Sequence, residues 1–307
     1  MTPSRFFAVA LLLPVLITAG CTKNEPPAQA EASSAPKAAE GAPRITSSAD
    51  GVHIQYRVYG SAEPAVVLVH GWSCDSNYWS AQVEALKPHY TVVTVDLAGH
   101  GGSGRNRTDW TIANYGEDVA AVVRELSNPR VVLVGHSMGA PVVLEAAQRI
   151  GDRVAGIIAV DALKSVGQPP LSERELQLRL APFKEDFIGQ TRKFVSEWFF
   201  HPDSDPELVR KVADDMALAP PEIAIASMES MARLDINDLI ARVRSPIVAI
   251  NADLRLDTDE ARIRRIVPDF RAVIVEQTGH FLMMEAPQRF NPILLREIAA
   301  FLKEERG

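Results

Sequence analysis

Apolar residues between positions 44 and 307 follow two patterns. Positions 52, 54, 56 and 58 are apolar and alternate with polar residues after the Asp50-Gly51 pair, which predicts an antiparallel hairpin with one buried face. Six later runs are continuous and rich in β-branched residues: 65–69, 91–95, 131–134, 157–160, 247–250 and 272–275. Continuous runs of this length indicate strands buried on both faces.

Segments with helical spacing separate the continuous runs. Apolar residues at 115, 119, 122, 123 and 126 share one helical face, residues 140–150 are rich in alanine, and a helical pattern at 293–302 follows the last run. Strands that alternate with helices predict an α/β domain built on a mostly parallel sheet.

Residues 162–245 interrupt this alternation and look helical throughout. Four aromatic residues in this segment have the spacing of one side of a single helix: Phe183, Phe187, Phe194 and Trp198. We therefore predict a core formed by residues 44–161 and 246–307, with residues 162–245 as a helical cap over the edge where such sheets bind ligands. The aromatic residues then form either the cap's own core or the lining of an apolar pocket.

The first residues are typical of a targeting segment. Arg5 precedes an apolar run at 6–17 that contains a proline and is too short to span a bilayer. The sequence Thr18-Ala19-Gly20-Cys21 resembles the lipobox of bacterial lipoproteins, which implies that residues 1–20 are removed and Cys21 is lipidated. Residues 21–43 hold no large apolar residue and predict a flexible tether.

The resulting expectation is an envelope protein held to a membrane by its lipid. Thr22 after the cysteine favours the outer membrane over the inner one if the source is Gram-negative. The alternative is an ordinary signal peptide in which Cys21 has no role.

The composition of the chain argues against several classes of protein. The chain is 47% hydrophobic and 23% charged, as in ordinary globular proteins, and its net charge of −7 argues against nucleic acid as a partner. Two cysteines, Cys21 and Cys74, can form neither a disulfide framework nor a thiolate zinc site. No sequence motif calls for a metal or a cofactor, and none indicates an obligate protein partner.

The run at 131–134 leads directly into Gly135-His136-Ser137-Met138-Gly139 and then into a helical pattern. This G-x-S-x-G sequence between strand and helix is typical of a sharp turn that exposes a serine nucleophile at the sheet edge. Ser137 is the candidate nucleophile, and a buried structural serine is the alternative.

Three further motifs resemble those of the α/β-hydrolase superfamily: His70-Gly71-Trp72 after the run at 65–69, a D-x-x-G-x-G-x-S sequence at 96–103, and Gly279-His280-Phe281 after the last run. The resemblance covers nearly all of residues 44–307. It implies an α/β-hydrolase fold, His280 as the catalytic base, and an oxyanion hole formed by the backbone N–H groups of Trp72 and Met138. The order Ser, acid, His is that of the fold.

Three carboxylates follow predicted strands and could orient His280. Asp253 is favoured because it comes three residues after the run at 247–250. However, Arg255 stands where the family's motif would place the acid. Asp161 follows the preceding strand, and Asp257 suits the N-cap of a helix at 258–266.

These residues favour cleavage of carboxylic esters or lactones through an acyl-enzyme on Ser137, with a small ester-like molecule as substrate. One alternative is a proline-type aminopeptidase, which would need acidic cap residues to bind a free amine; the candidates are Glu173, Glu175, Glu185 and Asp186. Others are a cofactor-free perhydrolase, a carbon–carbon bond hydrolase, or a non-catalytic ligand-binding member of the fold.

Overall fold

A computed structural model describes residues 39–304 of the chain. They form one eight-stranded sheet with the strand order β1-β2-β4-β3-β5-β6-β7-β8. The strands are β1 Arg44–Ser47, β2 His53–Tyr59, β3 Ala65–Val69, β4 Thr91–Val95, β5 Val131–His136, β6 Val154–Val160, β7 Ile247–Ala252 and β8 Arg271–Val275. β1 and β2 form the predicted antiparallel hairpin, β2 pairs antiparallel with β4, and the other pairs are parallel.

Eleven α-helices accompany the sheet within residues 39–304. They are α1 Ser80–Leu86, α2 Ile112–Arg124, α3 Gly139–Ile150, α4 Glu173–Glu185, α5 Phe187–Trp198, α6 Pro206–Met216, α7 Pro221–Arg233, α8 Ile236–Ala241, α9 Glu260–Ile263, α10 Leu282–Glu285 and α11 Pro287–Glu304. α2 packs against α3, and α11 packs against α1 and α10. β3 to β7 are buried at every position, so both faces of the central sheet are covered. The predicted α/β class with a mostly parallel sheet is confirmed.

Five helices, α4 to α8, lie between β6 and β7, where the sequence predicts the cap. The prediction that the four aromatic residues share one helix is wrong. Asp186 has non-helical backbone angles (φ −142°, ψ 86°) that end α4, and its side chain accepts a hydrogen bond from Gly189 N (2.9 Å) to cap α5. An aspartate N-cap supplies an acceptor that the start of a helix lacks, which favours the break. Phe183 therefore belongs to α4, and the other three residues belong to α5.

A second local expectation also fails. The helix after β7 is the short α9, Glu260–Ile263, and its N-cap is Asp259, whose carboxylate accepts from Arg262 N at 2.9 Å. Asp257 lies in the exposed loop before it. The cap role assigned to Asp257 thus falls to the next aspartate along the chain.

Residues 1–38, which include the predicted signal segment, Cys21 and most of the tether, lie outside the described residues. Within residues 39–304, no helix has the length and apolar character needed to cross a bilayer.

Candidate active site

The turn between β5 and α3 holds Ser137 in a left-handed backbone conformation (φ +52°). The two motif glycines are required by close packing: a Cβ on Gly135 would overlap the Gly139 carbonyl, and a Cβ on Gly139 would lie 2.5 Å from the Val69 carbonyl oxygen. Ser137 N donates to Val160 O at the end of the neighbouring β6 (3.0 Å). The sequence thus forms the strained strand-to-helix turn expected of a nucleophile.

His280 follows β8 and pairs with an acid at the end of β6. Its Nδ1 donates to Asp161 Oδ2 at 2.6 Å. Burial raises the pKa of Asp161, but the hydrogen bond and charge of His280 and the nearby Lys164 outweigh it and hold that pKa below the usual 3.8. Asp161 is therefore an ionised carboxylate, fixed against the imidazole.

The choice of Asp253 as the partner of His280 is wrong. The Asp253 carboxylate lies in an exposed loop and accepts from Gln277 N at 3.1 Å. The register of the sheet explains the difference: Asp161 N donates to Ile250 O, and Ala252 N donates to Asp161 Oδ1 (2.9 Å for both). These bonds place Asp161 beside the last residue of β7, on the side of the His280 loop.

The loop that holds His70-Gly71-Trp72 lies against the nucleophile turn. A Cβ on Gly71 would lie 2.9 Å from His136 Nδ1 and 3.1 Å from Ser137 Cβ, so a larger residue there would have to displace the nucleophile turn. His70 has a structural role, because its Nε2 accepts from Leu97 N at 3.1 Å. Met138 is buried and precedes α3, so its N–H belongs to the positive end of that helix. That the backbone N–H groups of Trp72 and Met138 donate to an oxyanion stays a prediction.

His136, the residue before the nucleophile, contacts His280, the candidate base. Its ring lies 4.6 Å from the His280 ring, and its Nε2 is 2.8 Å from His280 O. Burial lowers the pKa of His136 to about 3, so its ring is neutral and its Nε2–H donates to that carbonyl. His136 therefore fixes the His280 backbone rather than competing with it as a base.

Aromatic rings from the cap connect the two sides of the site. Successive ring centroids are 5.9 Å apart for Trp72 and Phe183, 5.6 Å for Phe183 and Phe194, 4.9 Å for Phe194 and Phe199, and 4.4 Å for Phe199 and His280. His280 N also donates to Phe199 O (2.6 Å). Sequence reasoning missed Phe199 because it follows the last turn of α5, outside the helical spacing.

Trp198, which precedes Phe199 and was predicted from the helical spacing, lies on the surface of the protein. It is 53% exposed, and the Arg255 guanidinium lies 4.9 Å from the centre of its ring. A cavity of about 510 Å³ beside it, between α5 and α6, is lined by residues that include Arg192, Phe200 and Arg210 but neither Ser137 nor His280. Across residues 39–304, no cluster of three His, Cys, Asp or Glu side chains could hold a metal ion.

Known proteins similar to this chain include a lactonase and two esterases. The chain resembles 3-oxoadipate enol-lactonase 2 of Acinetobacter baylyi (26% identity over 258 residues; 80% of this chain, 93% of the lactonase). It also resembles the pimeloyl-[acyl-carrier protein] methyl ester esterase of Methylococcus capsulatus (30% over 194 residues; 61% and 74%). A thermophilic esterase from Thermogutta terrifontis shares the fold, with a TM-score of 0.73, 24% identity and coverage of 84% and 98%. The profile of the alpha/beta hydrolase family matches residues 66–293, and the chain belongs to that family.

Proposed function

We propose that this hydrolase cleaves carboxylic esters or lactones through an acyl-enzyme on Ser137. The observation that carries the proposal is the 2.6 Å hydrogen bond between His280 and Asp161 at the sheet edge where the strained Ser137 turn also lies. A base oriented by a carboxylate beside a projecting serine is the arrangement that acyl transfer requires.

The reaction uses groups that the chain itself supplies. Asp161 accepts the Nδ1–H of His280, which leaves Nε2 unprotonated and able to take the proton of the Ser137 hydroxyl. The serine oxygen attacks the substrate carbonyl, and the N–H groups of Trp72 and Met138 donate to the resulting oxyanion. The leaving alkoxide takes the proton from His280. Water, activated by the same base, then attacks the acyl-enzyme and releases the acid.

The cap favours an apolar acyl or alcohol group. Its aromatic rings reach from Trp72 to His280 and offer an apolar surface beside the reacting atoms. The names of the relatives, an enol-lactonase and a methyl ester esterase, point to the same reaction class.

The aminopeptidase alternative finds less support because three of its four candidate carboxylates have other partners. Glu173 pairs with Arg233, and Glu175 closes a capping box with Ser172. Asp186 caps α5. These carboxylates stabilise helices on the exposed side of the cap.

A panel of p-nitrophenyl esters, lactones and amino-acid arylamides tests the proposal with the wild-type protein and the Ser137→Ala variant. We expect ester or lactone turnover that falls by several orders of magnitude in Ser137→Ala at an unchanged melting temperature. Preference for arylamides would favour the aminopeptidase, and turnover that survives in Ser137→Ala would refute the nucleophile.

We further propose that the enzyme acts at the cell envelope, anchored by a lipid on Cys21. The support is the sequence alone: an apolar run followed by Thr18-Ala19-Gly20-Cys21 and a polar tether.

A further inference from the structure

The segment that follows β6 has an unusual backbone. Asp161 and Leu163 both have positive φ angles, +42° and +63°, although neither is glycine. Such conformations cost free energy and persist only where surrounding contacts enforce them. The segment carries the acid that pairs with His280, so the contacts that hold it also set the geometry of the base.

Asn251 and Arg262 hold the backbone of this segment. The buried Asn251 side chain accepts from Ala162 N (3.1 Å) and donates to Ala162 O (3.2 Å). The Arg262 guanidinium donates to Lys164 O (2.7 Å) and Val166 O (2.8 Å). These contacts fix the main chain but leave the Asp161 side chain to other partners.

Lys164 contacts the side chain of the acid directly. Its Nζ lies 2.8 Å from Asp161 Oδ1, the oxygen that does not face His280. The same ammonium donates to Ala252 O (2.9 Å) and Leu254 O (3.3 Å). Its three N–H groups therefore have one acceptor after β6, in Asp161, and two at and after the end of β7. Side-chain exposure is 10% for Lys164 and 8% for Asp161, so solvent screens this pair only weakly.

Few charged groups face Asp161. The loop after β8 contributes His280, and the segment after β6 contributes Lys164 itself. The end of β5 contributes His136, which is neutral because burial lowers its pKa. From β7, Ala252 N donates to Oδ1. Among the described residues, Lys164 is therefore the one lysine or arginine in contact with the Asp161 carboxylate.

We propose that Lys164 is a positioning residue that orients Asp161 and lowers the pH at which His280 becomes an unprotonated base. The inference rests on the proposed function, because it assigns Lys164 a part in the same site. The physical reason is that an imidazolium formed on His280 is attracted by the Asp161 carboxylate and repelled by the ammonium behind it. Without the Lys164 charge, the Asp161 carboxylate stabilises the His280 imidazolium more strongly, so His280 keeps its proton to a higher pH.

The test compares the wild type with Lys164→Gln, which keeps an N–H donor without the charge, and Lys164→Met, which keeps the buried volume. Lys164→Arg retains the charge, and Lys211→Gln on the exposed side of α6 is the matched control. Two measurements are made on each: the pH dependence of kcat/KM for a p-nitrophenyl ester, and NMR titration of the His280 ring without substrate.

We expect the acid limb of kcat/KM and the His280 titration to move to higher pH together, by roughly one unit, in Lys164→Gln and Lys164→Met. Lys164→Arg and Lys211→Gln should keep the wild-type midpoints. Unchanged midpoints in either neutral variant that folds would overturn the inference, as would an equal shift in Lys164→Arg. If the wild type cleaves no ester, the proposed function fails, whereas the substrate-free titration still decides what Lys164 does to His280.

Discussion

Replacing Asp161 by asparagine removes the charge that orients His280 and changes few atoms. Asp161 Oδ1 accepts from Ala252 N and Lys164 Nζ, so the amide oxygen of the substituted side chain must keep that position. The amide NH₂ then faces His280 Nδ1, where the carboxylate had accepted a hydrogen bond at 2.6 Å. Because an NH₂ group can only donate, His280 must turn Nδ1 into an acceptor and carry its proton on Nε2, the nitrogen that should receive the serine proton.

The expected loss of kcat in Asp161→Asn follows from this change of His280 tautomer. A carboxylate-to-amide change at this position of a serine–histidine–acid triad lowers kcat by about 10⁴, or roughly 5.5 kcal/mol of transition-state stabilisation. Asp253→Asn is the matched control, because Asp253 accepts a single exposed hydrogen bond from Gln277 N, worth about 1 kcal/mol. We expect that variant to stay within about fivefold of the wild type.

The assay is kcat/KM for a p-nitrophenyl ester at about pH 8, above the ordinary pKa of histidine, with circular dichroism and the melting temperature measured for both variants. A folded Asp161→Asn protein with near wild-type turnover, beside a severely impaired Asp253→Asn protein, would refute the assignment of Asp161. The role of Ser137 would be unaffected by that outcome.

Three other outcomes are expected. Phe183→Ala should change the chain-length preference among p-nitrophenyl esters, because the Phe183 ring contacts Trp72. Trp198→Ala should leave that preference unaltered, because Trp198 is exposed. The reverse pattern would show that the aromatic rings of the cap do not contact the substrate. Arg107→Ala should cost about 3 to 5 kcal/mol in urea unfolding because it leaves the fully buried Asp118 carboxylate unpaired, and a loss below about 1 kcal/mol would contradict this. Cys21→Ser should move the protein from the membrane to the soluble fraction with esterase activity intact, and retention on membranes would refute the lipid anchor.

The strands were predictable because each carries its own signal. The runs at 65–69 and 91–95 coincide with β3 and β4, since β-branched residues buried on both faces leave an unbroken apolar stretch. The nucleophile turn was predictable because G-x-S-x-G between a strand and a helix is a local motif. Of its two glycines, Gly135 is required by the nearby Gly139 carbonyl, whereas Gly139 is required by the distant Val69 carbonyl.

The acid was not predictable from its distance to a strand. Asp161 and Asp253 both follow parallel strands, and only the β6–β7 register and the positive φ of Asp161 decide which one faces His280. Register and side-chain direction depend on contacts between segments some ninety residues apart, such as Ala252 N with Asp161. The departure of residues 251–255 from the family's motif was the one sequence signal against Asp253.

The aromatic residues of the cap show a second limit of prediction from the sequence. Helical spacing treats residues 183–198 as one helix, yet a single aspartate cap at Asp186 divides them. Phe199 reaches His280 from beyond the end of α5, a position for which periodicity makes no prediction.

Covalent catalysis by Ser137 can be tested by intact-mass spectrometry after reaction with a fluorophosphonate, followed by peptide mapping. We expect one adduct per chain, located on Ser137, and no adduct in Ser137→Ala. We also expect much slower labelling of Asp161→Asn, because the reagent reacts with the serine that His280 activates. An adduct on another residue, or undiminished labelling of Ser137→Ala, would refute Ser137 as the nucleophile.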